Sequence, residues 1–448
     1  MTAARNTIVL KNATIVNEGR IQEGDLAIRG DRISQIGGTA TGVKEIDVSG
    51  SWVLPGMIDD QVHFREPGME HKATIATESR AALAGGITSY MEMPNCIPQT
   101  TTHENLLAKH ERAKLSSVAN FGFYFGATND NLEEIKRVDA QLACGVKVFM
   151  GASTGNMLVD NPVSLENIFA SCPLVIATHC EDTPTIHRND AEARRQYGGD
   201  PPPELHAEIR SAEACYLSSS LAVGLAKKHD SRLHVLHLTT AREMELFERG
   251  PIENKKITAE VCVHHLFFDA SHYASKGVEI KCNPAIKSAN DREALRQAVN
   301  ENRIDVIATD HAPHTYEEKH SVKFVDAPAG LPLVEYAVPA LLELVDQGVF
   351  SLTTSVEKIA HAPAKRFEVR DRGFLREGFF ADVIVVNPNT VSNVESRPVW
   401  SKCGWTPFSD YKFATEVTHT IVNGNLMYRD GDLCSEQIGM PLTYDRTT

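Results

Sequence analysis

Apolar positions along the chain follow two rhythms. Residues 1–52 alternate apolar and polar positions in short runs (Ile8-Val9-Leu10, Ala13 to Val16, Leu26-Ala27-Ile28, Ile33 to Ile36), broken by Gly19, Gly24, Gly30, Gly37 and Gly38. Such patterning predicts a small sheet. The same texture returns late, at Ala381 to Val386 and from Glu416 to Met427. Two strand-rich ends around a different middle predict one β-sandwich assembled from both termini. No solenoid period is visible.

The middle alternates fully apolar runs with helical stretches, the pattern of an α/β fold with a parallel sheet. Eight strand candidates stand at 52–58, 87–93, 120–126, 145–150, 174–178, 233–237, 257–263 and 304–309, with helices between them such as 72–84, 132–142 and 204–228. Eight strands and their helices fit a (β/α)8 TIM-type barrel better than an open sheet. The expected organisation is a sandwich part over 1–52, the barrel over 53–370, and the second sandwich part with a tail over 371–448. In such barrels the chemistry sits where strands end, at the C-terminal face.

Five of these strands carry residues suited to binding a metal. The first ends at His63, the fourth contains Lys147, the fifth ends at His179, the sixth at His237 and the eighth at Asp310. A single histidine closing an apolar strand is ordinarily a hydrogen-bonded core residue. Five strands delivering His, Lys, His, His and Asp to one rim point instead to a site. Lys147 is the most diagnostic, because a lysine inside an apolar strand is costly unless paired or neutral. A desolvated amine that has reacted with CO2 becomes an anionic carbamate with two oxygens, able to bridge two metal ions.

Composition narrows the partners. The 448 residues, 42% hydrophobic, suffice for a large core, and the net charge of −14 argues against nucleic acid or an anionic membrane as partner. No stretch is long and apolar enough to span a bilayer, and Met1 to Asn6 run into the strand pattern without a signal peptide's apolar segment. Nine scattered cysteines without C-x-x-C pairs suggest reduced thiols in a cytoplasm.

The ordered motifs His63-Phe64-Arg65-Glu66-Pro67-Gly68, Met93-Pro94-Asn95, Lys147, His179, His237, Asn283-Pro284 and Asp310-His311-Ala312-Pro313-His314 span nearly the whole chain. On these residues the sequence resembles the cyclic-amide hydrolases of the amidohydrolase superfamily, and the dihydroorotase family most. The resemblance implies zinc, one or two ions, with His63 and Asp310 on one, His179 and His237 on the other, and carboxylated Lys147 bridging them. It implies that Arg65, Asn95 and His314 hold a substrate carboxylate, that Asn283 contacts the ring, and that Asp310 is the catalytic proton carrier. The implied reaction is reversible closure of N-carbamoyl-L-aspartate to dihydroorotate in pyrimidine synthesis, by a cytoplasmic homodimer acting on a small molecule.

By the same resemblance, hydantoinases and dihydropyrimidinases lack the Arg-Glu-Pro-Gly pattern, and allantoinases typically carry another residue where Arg65 stands. One departure is plain. Many metal-dependent hydrolases carry His-x-His at the end of the corresponding strand, where alternate residues point the same way; here the first of the two is Gln61. That kind of change also occurs in non-catalytic relatives that serve as scaffolds. The polar segment 315–330 reads as a cover for the site or as a plain surface connection.

Overall fold

The computed structural model describes residues 7–151, 157–320, 323–434 and 436–446. The first six residues of the N-terminal sandwich segment, and residues 321 and 322 of the 315–330 segment, lie outside the described residues.

Eight parallel strands form one sheet in chain order: Met57–Val62, Ile87–Glu92, Asn120–Gly126, Ala143–Phe149, Ile176–His179, Leu233–Val235, Ile257–Cys262 and Val306–Ala308. They are numbered first to eighth below. Every residue in them is buried except Ile257, because helices cover the outside and side chains fill the inside. The ring closes where Val62 bridges His311 in parallel and the His63 N–H donates to the His311 carbonyl at 2.7 Å. At the floor, Ile58, Met91, Tyr124 and Cys144 pack with Leu442 and Tyr444 of the C-terminal tail.

The run 52–58 divides in two. Trp52–Pro55 belongs to the terminal sheet, pairing in parallel with Thr14 and Ile15 and antiparallel with Val383 to Val386. Gly56 then passes the chain to the first barrel strand. A Cβ there would lie 2.2 Å from the Thr88 side chain, so no side chain fits.

Helix boundaries also follow local chemistry. The helix expected over 72–84 is Ile75–Ala84, since the Thr74 side chain caps it by accepting from Thr77 N–H. The stretch 132–142 is helical only over Leu132–Lys136, and the Asp139 side chain instead accepts from Gln141 N–H. Ser211 caps Ala212–His229, so the helix expected from 204 begins later, after two short turns.

Both termini build one nine-stranded sheet. Its edge strand Arg32–Ile36 returns to bridge Phe380, beside Val383–Asn387, so the sheet wraps a core of its own from Leu10, Ile15, Leu26, Ile28, Val53 and Val383. This is the sandwich expected from the two strand-rich ends. The buried Arg372–Asp382 ion pair, with Asn120 and Asn423 bonded to Asp382, fastens the sheet to the barrel.

Candidate active site

The strand ends bring Gln61, His63, Arg65, Asn95, Lys147, His179, His237, Asn283 and Asp310 to one cavity, with Phe149, Ala312, Ala329 and Gly330 completing its wall. His314 stands behind it, its Nε2 3.2 Å from Arg65 Nη2. Three of these residues have left-handed backbone: Arg65 (φ 70°), His237 (φ 40°) and Asp310 (φ 49°). Non-glycine residues adopt that region rarely and at a cost, which marks positions where side-chain direction outweighs backbone preference.

His63 is oriented by Asn95, whose Oδ1 lies 2.8 Å from Nδ1. The Nδ1 proton is held there, so the Nε2 lone pair faces Asp310 Oδ1 at 3.2 Å. Burial drives the His63 pKa down and keeps the ring neutral. A lone pair and a carboxylate oxygen at that distance are stable with a cation between them. Burial works against the Asp310 charge, yet the basic groups around it, His63 first and then His264 and Lys147, hold its pKa below the usual carboxylate value.

On the far side of the cavity, His179 Nδ1 and His237 Nε2 lie 3.0 Å apart. Two ligands on one tetrahedral zinc, each at about 2.0–2.1 Å, are separated by roughly 3.3 Å, so this pair is near the spacing that one ion imposes. The other nitrogen of His179 lies 3.1 Å from Glu181, which pairs with Arg210. Such carboxylates orient ligating imidazoles. Neither Glu181 nor Arg210 stood out in the sequence: Glu181 follows two residues after His179, but Arg210 reaches it only through folding.

Lys147 is 1% exposed and its side chain makes no hydrogen bond among the described residues, its Nζ lying 4.6 Å from the centre of the Phe149 ring. Burial lowers its pKa to about 8. A buried amine brought that close to neutrality is chemically suited to react with CO2. The donor set of three imidazoles, a carboxylate and this lysine therefore fits a divalent metal.

Gln61 departs from a ligand's behaviour. Its Nε2 donates to Asp310 Oδ1 at 3.1 Å, and its Oε1 lies 3.9 Å from Cys262 Sγ.

Arg65 is 4% exposed. Its Nε donates to the Pro313 carbonyl at 3.0 Å, and it forms no ion pair among the described residues. Glu66 instead accepts from Ile75 N–H and pairs with Arg112, and Asp60 faces His234, so neither of these neighbouring carboxylates serves Arg65. Burial lowers the Arg65 pKa to about 10, leaving it charged. Lys72, which the sequence did not single out, lies 3.0 Å from His314 Nδ1. Burial and the cations Arg65 and Lys72 push His314 far below its ordinary pKa, so it is neutral. The wall at Ala329 and Gly330 is fastened from below. Lys281 Nζ donates to the carbonyls of Phe324, Val325 and Ala327, and Lys319 Nζ to those of Lys281, Pro328 and Gly330.

Among the described residues, no helix is long and apolar enough to cross a membrane. The model of the amidohydrolase family matches residues 52–427. A dihydroorotase of Halobacterium salinarum is 33% identical over 95% of this chain and 97% of its own length. A dihydroorotase of Methanothermobacter thermautotrophicus is 32% identical over 87% of each. An allantoinase of Bacillus velezensis is 30% identical over 95% of this chain and 94% of its own. Among solved structures, the L-hydantoinase (dihydropyrimidinase) of Arthrobacter aurescens superposes with a TM-score of 0.92 at 26% identity, covering 98% of this chain and 100% of that one. Family span and full-length relatives agree: the chain belongs to the amidohydrolase family and is a cyclic amide hydrolase.

Proposed function

We propose that this protein is a dihydroorotase, interconverting dihydroorotate and N-carbamoyl-L-aspartate for pyrimidine synthesis. The observation that carries this reading is Arg65: buried, charged, at the cavity wall, and without a carboxylate partner among the described residues. An unpaired buried guanidinium is costly, and a planar carboxylate accepting two parallel hydrogen bonds is its natural complement. Dihydroorotate carries that carboxylate; hydantoin and dihydrouracil do not. Asn95 retains its amide N–H2 for the same group while its Oδ1 holds His63, and the unpartnered Asn283 Oδ1 is available to a ring N–H.

In this reading His63, Asp310, His179 and His237 would hold zinc, and Lys147, once carboxylated, would supply an anionic ligand to it. Neutral Lys147 amine attacks CO2, forming an N–C bond and releasing one proton. Zinc, when bound, lowers the pKa of water and polarises a carbonyl. Asp310 takes a proton from water as it attacks the ring amide carbonyl and gives it to the departing ring nitrogen. In the reverse direction the ureido nitrogen attacks the side-chain carboxyl carbon, and Asp310 takes its proton and passes it to the departing hydroxide, which leaves as water. Arg65 fixes the substrate's carboxylate so that the scissile amide lies over Asp310. A cytoplasmic setting is proposed on nine free cysteines, and a homodimer on the prevalence of twofold pairs.

A spectrophotometric assay of dihydroorotate ring opening, with zinc quantified on the same preparation, tests the proposal. Dihydrouracil, hydantoin and allantoin serve as controls. Turnover of allantoin or hydantoin with none of dihydroorotate would refute it, and an inactive, zinc-free protein would favour a scaffold.

A further inference from the structure

We infer that Asp60, His234 and Glu260 form a second metal site, for a divalent transition-metal cation such as zinc, inside the barrel beneath the catalytic cavity. Asp60 comes from the first strand, His234 from the sixth and Glu260 from the seventh, and all three are 0% exposed. Their ligand atoms all lie within 4.8 Å of one another. His234 Nε2 stands 3.1 Å from Asp60 Oδ2 and 3.5 Å from Glu260 Oε2. Ligands sharing one tetrahedral ion at about 2.0–2.1 Å are separated by roughly 3.3 Å, so both distances suit a shared cation.

Hydrogen bonding does not account for the cluster. Both Asp60 carboxylate oxygens, Glu260 Oε2 and His234 Nε2 are buried with no aligned partner. Native interiors rarely leave such atoms buried and unpaired together. The tautomer of His234 is set from behind. Thr258 Oγ1 donates to the Leu233 carbonyl at 3.3 Å and so accepts from His234 Nδ1–H at 2.7 Å. That leaves Nε2 turned toward two carboxylates, the arrangement by which a second-sphere acceptor prepares an imidazole for a metal. A single proton on Nε2 could serve one carboxylate at most, leaving the other without a donor. One imidazole with two carboxylates neutralises a divalent ion and suits zinc, manganese or iron.

The cluster lies just under the catalytic cavity. Glu260 Oε1 accepts from His237 N–H at 3.0 Å, and Cys262 Sγ lies 3.8 Å from that oxygen and 3.9 Å from Gln61 Oε1. A cation here would hold the backbone of His237 through Glu260, apart from any ion in the cavity above.

The test uses the full chain purified with zinc. Anomalous diffraction collected on either side of the zinc edge should show a peak within bonding distance of Asp60, His234 and Glu260. The near-isosteric Asp60→Asn and Glu260→Gln variants should each lose about one zinc per chain while keeping the zinc of the cavity. Peaks in the cavity with none at the cluster, or unchanged zinc content in both variants, would overturn the inference. If a variant fails to fold, the wild-type map still decides. A peak at the cluster with none in the cavity supports this site and counts against the catalytic reading instead.

Discussion

Gln61 hydrogen-bonds Asp310: its amide nitrogen donates at 3.1 Å to the same Oδ1 that faces His63 Nε2. Where relatives place a second imidazole, this chain places a donor that occupies part of the carboxylate. The half of the site built on His63 should therefore bind zinc more weakly than the half built on His179 and His237, because an amide is a poorer zinc ligand than imidazole. Chelator titration should empty the His63 side first, and Gln61→His should tighten it without changing the reaction. Two sites of matched affinity in the native protein would contradict this account of Gln61.

Arg65→Ala should impair dihydroorotate far more than dihydrouracil, which has no carboxylate. A hydrogen bond to a charged group is worth about 1.5–3 kcal/mol, so kcat/KM on dihydroorotate should fall at least about tenfold. Equal losses on both substrates would show that Arg65 is structural.

Lys147→Ala should remove most of the zinc and nearly all activity if, as proposed, its carbamate is an anion shared by both halves of the site. A short carboxylic acid added to that variant should restore part of each by filling the gap. Full zinc content and normal turnover in Lys147→Ala would rule out the carbamate.

The terminal sheet carries an acid-sensitive contact. Asp25 accepts from Lys11 Nζ at 2.6 Å, from Ala40 N–H at 2.8 Å and from Asn12 N–H at 3.0 Å. The Lys11 bond first, then the backbone donors, hold its pKa down at about 2. A carboxylate whose folded pKa is depressed adds stability that is complete above its unfolded value near 4 and is lost as pH falls through about 2. Asp25→Asn should lower the melting temperature at pH 7 and make little difference near pH 2. A shift of equal size at both pH values would mean the charge is not the cause.

The rim of the barrel was legible in the sequence because strand ends announce themselves. An apolar run that stops at His63, His179, His237 or Asp310 states both the element and the point where its polar residue emerges. Lys147 was legible for a related reason, as a charge inside such a run. Partners could not be read this way. That Asn95 holds His63, that Gln61 turns to Asp310, and that Arg65 has no carboxylate beside it depend on which loops meet above the barrel. The division of 52–58 was hidden because an apolar run has the same composition whichever sheet it joins. Asp60, His234 and Glu260, far apart in the chain and each unremarkable in its own strand, meet only because closing eight strands turns their side chains to one axis.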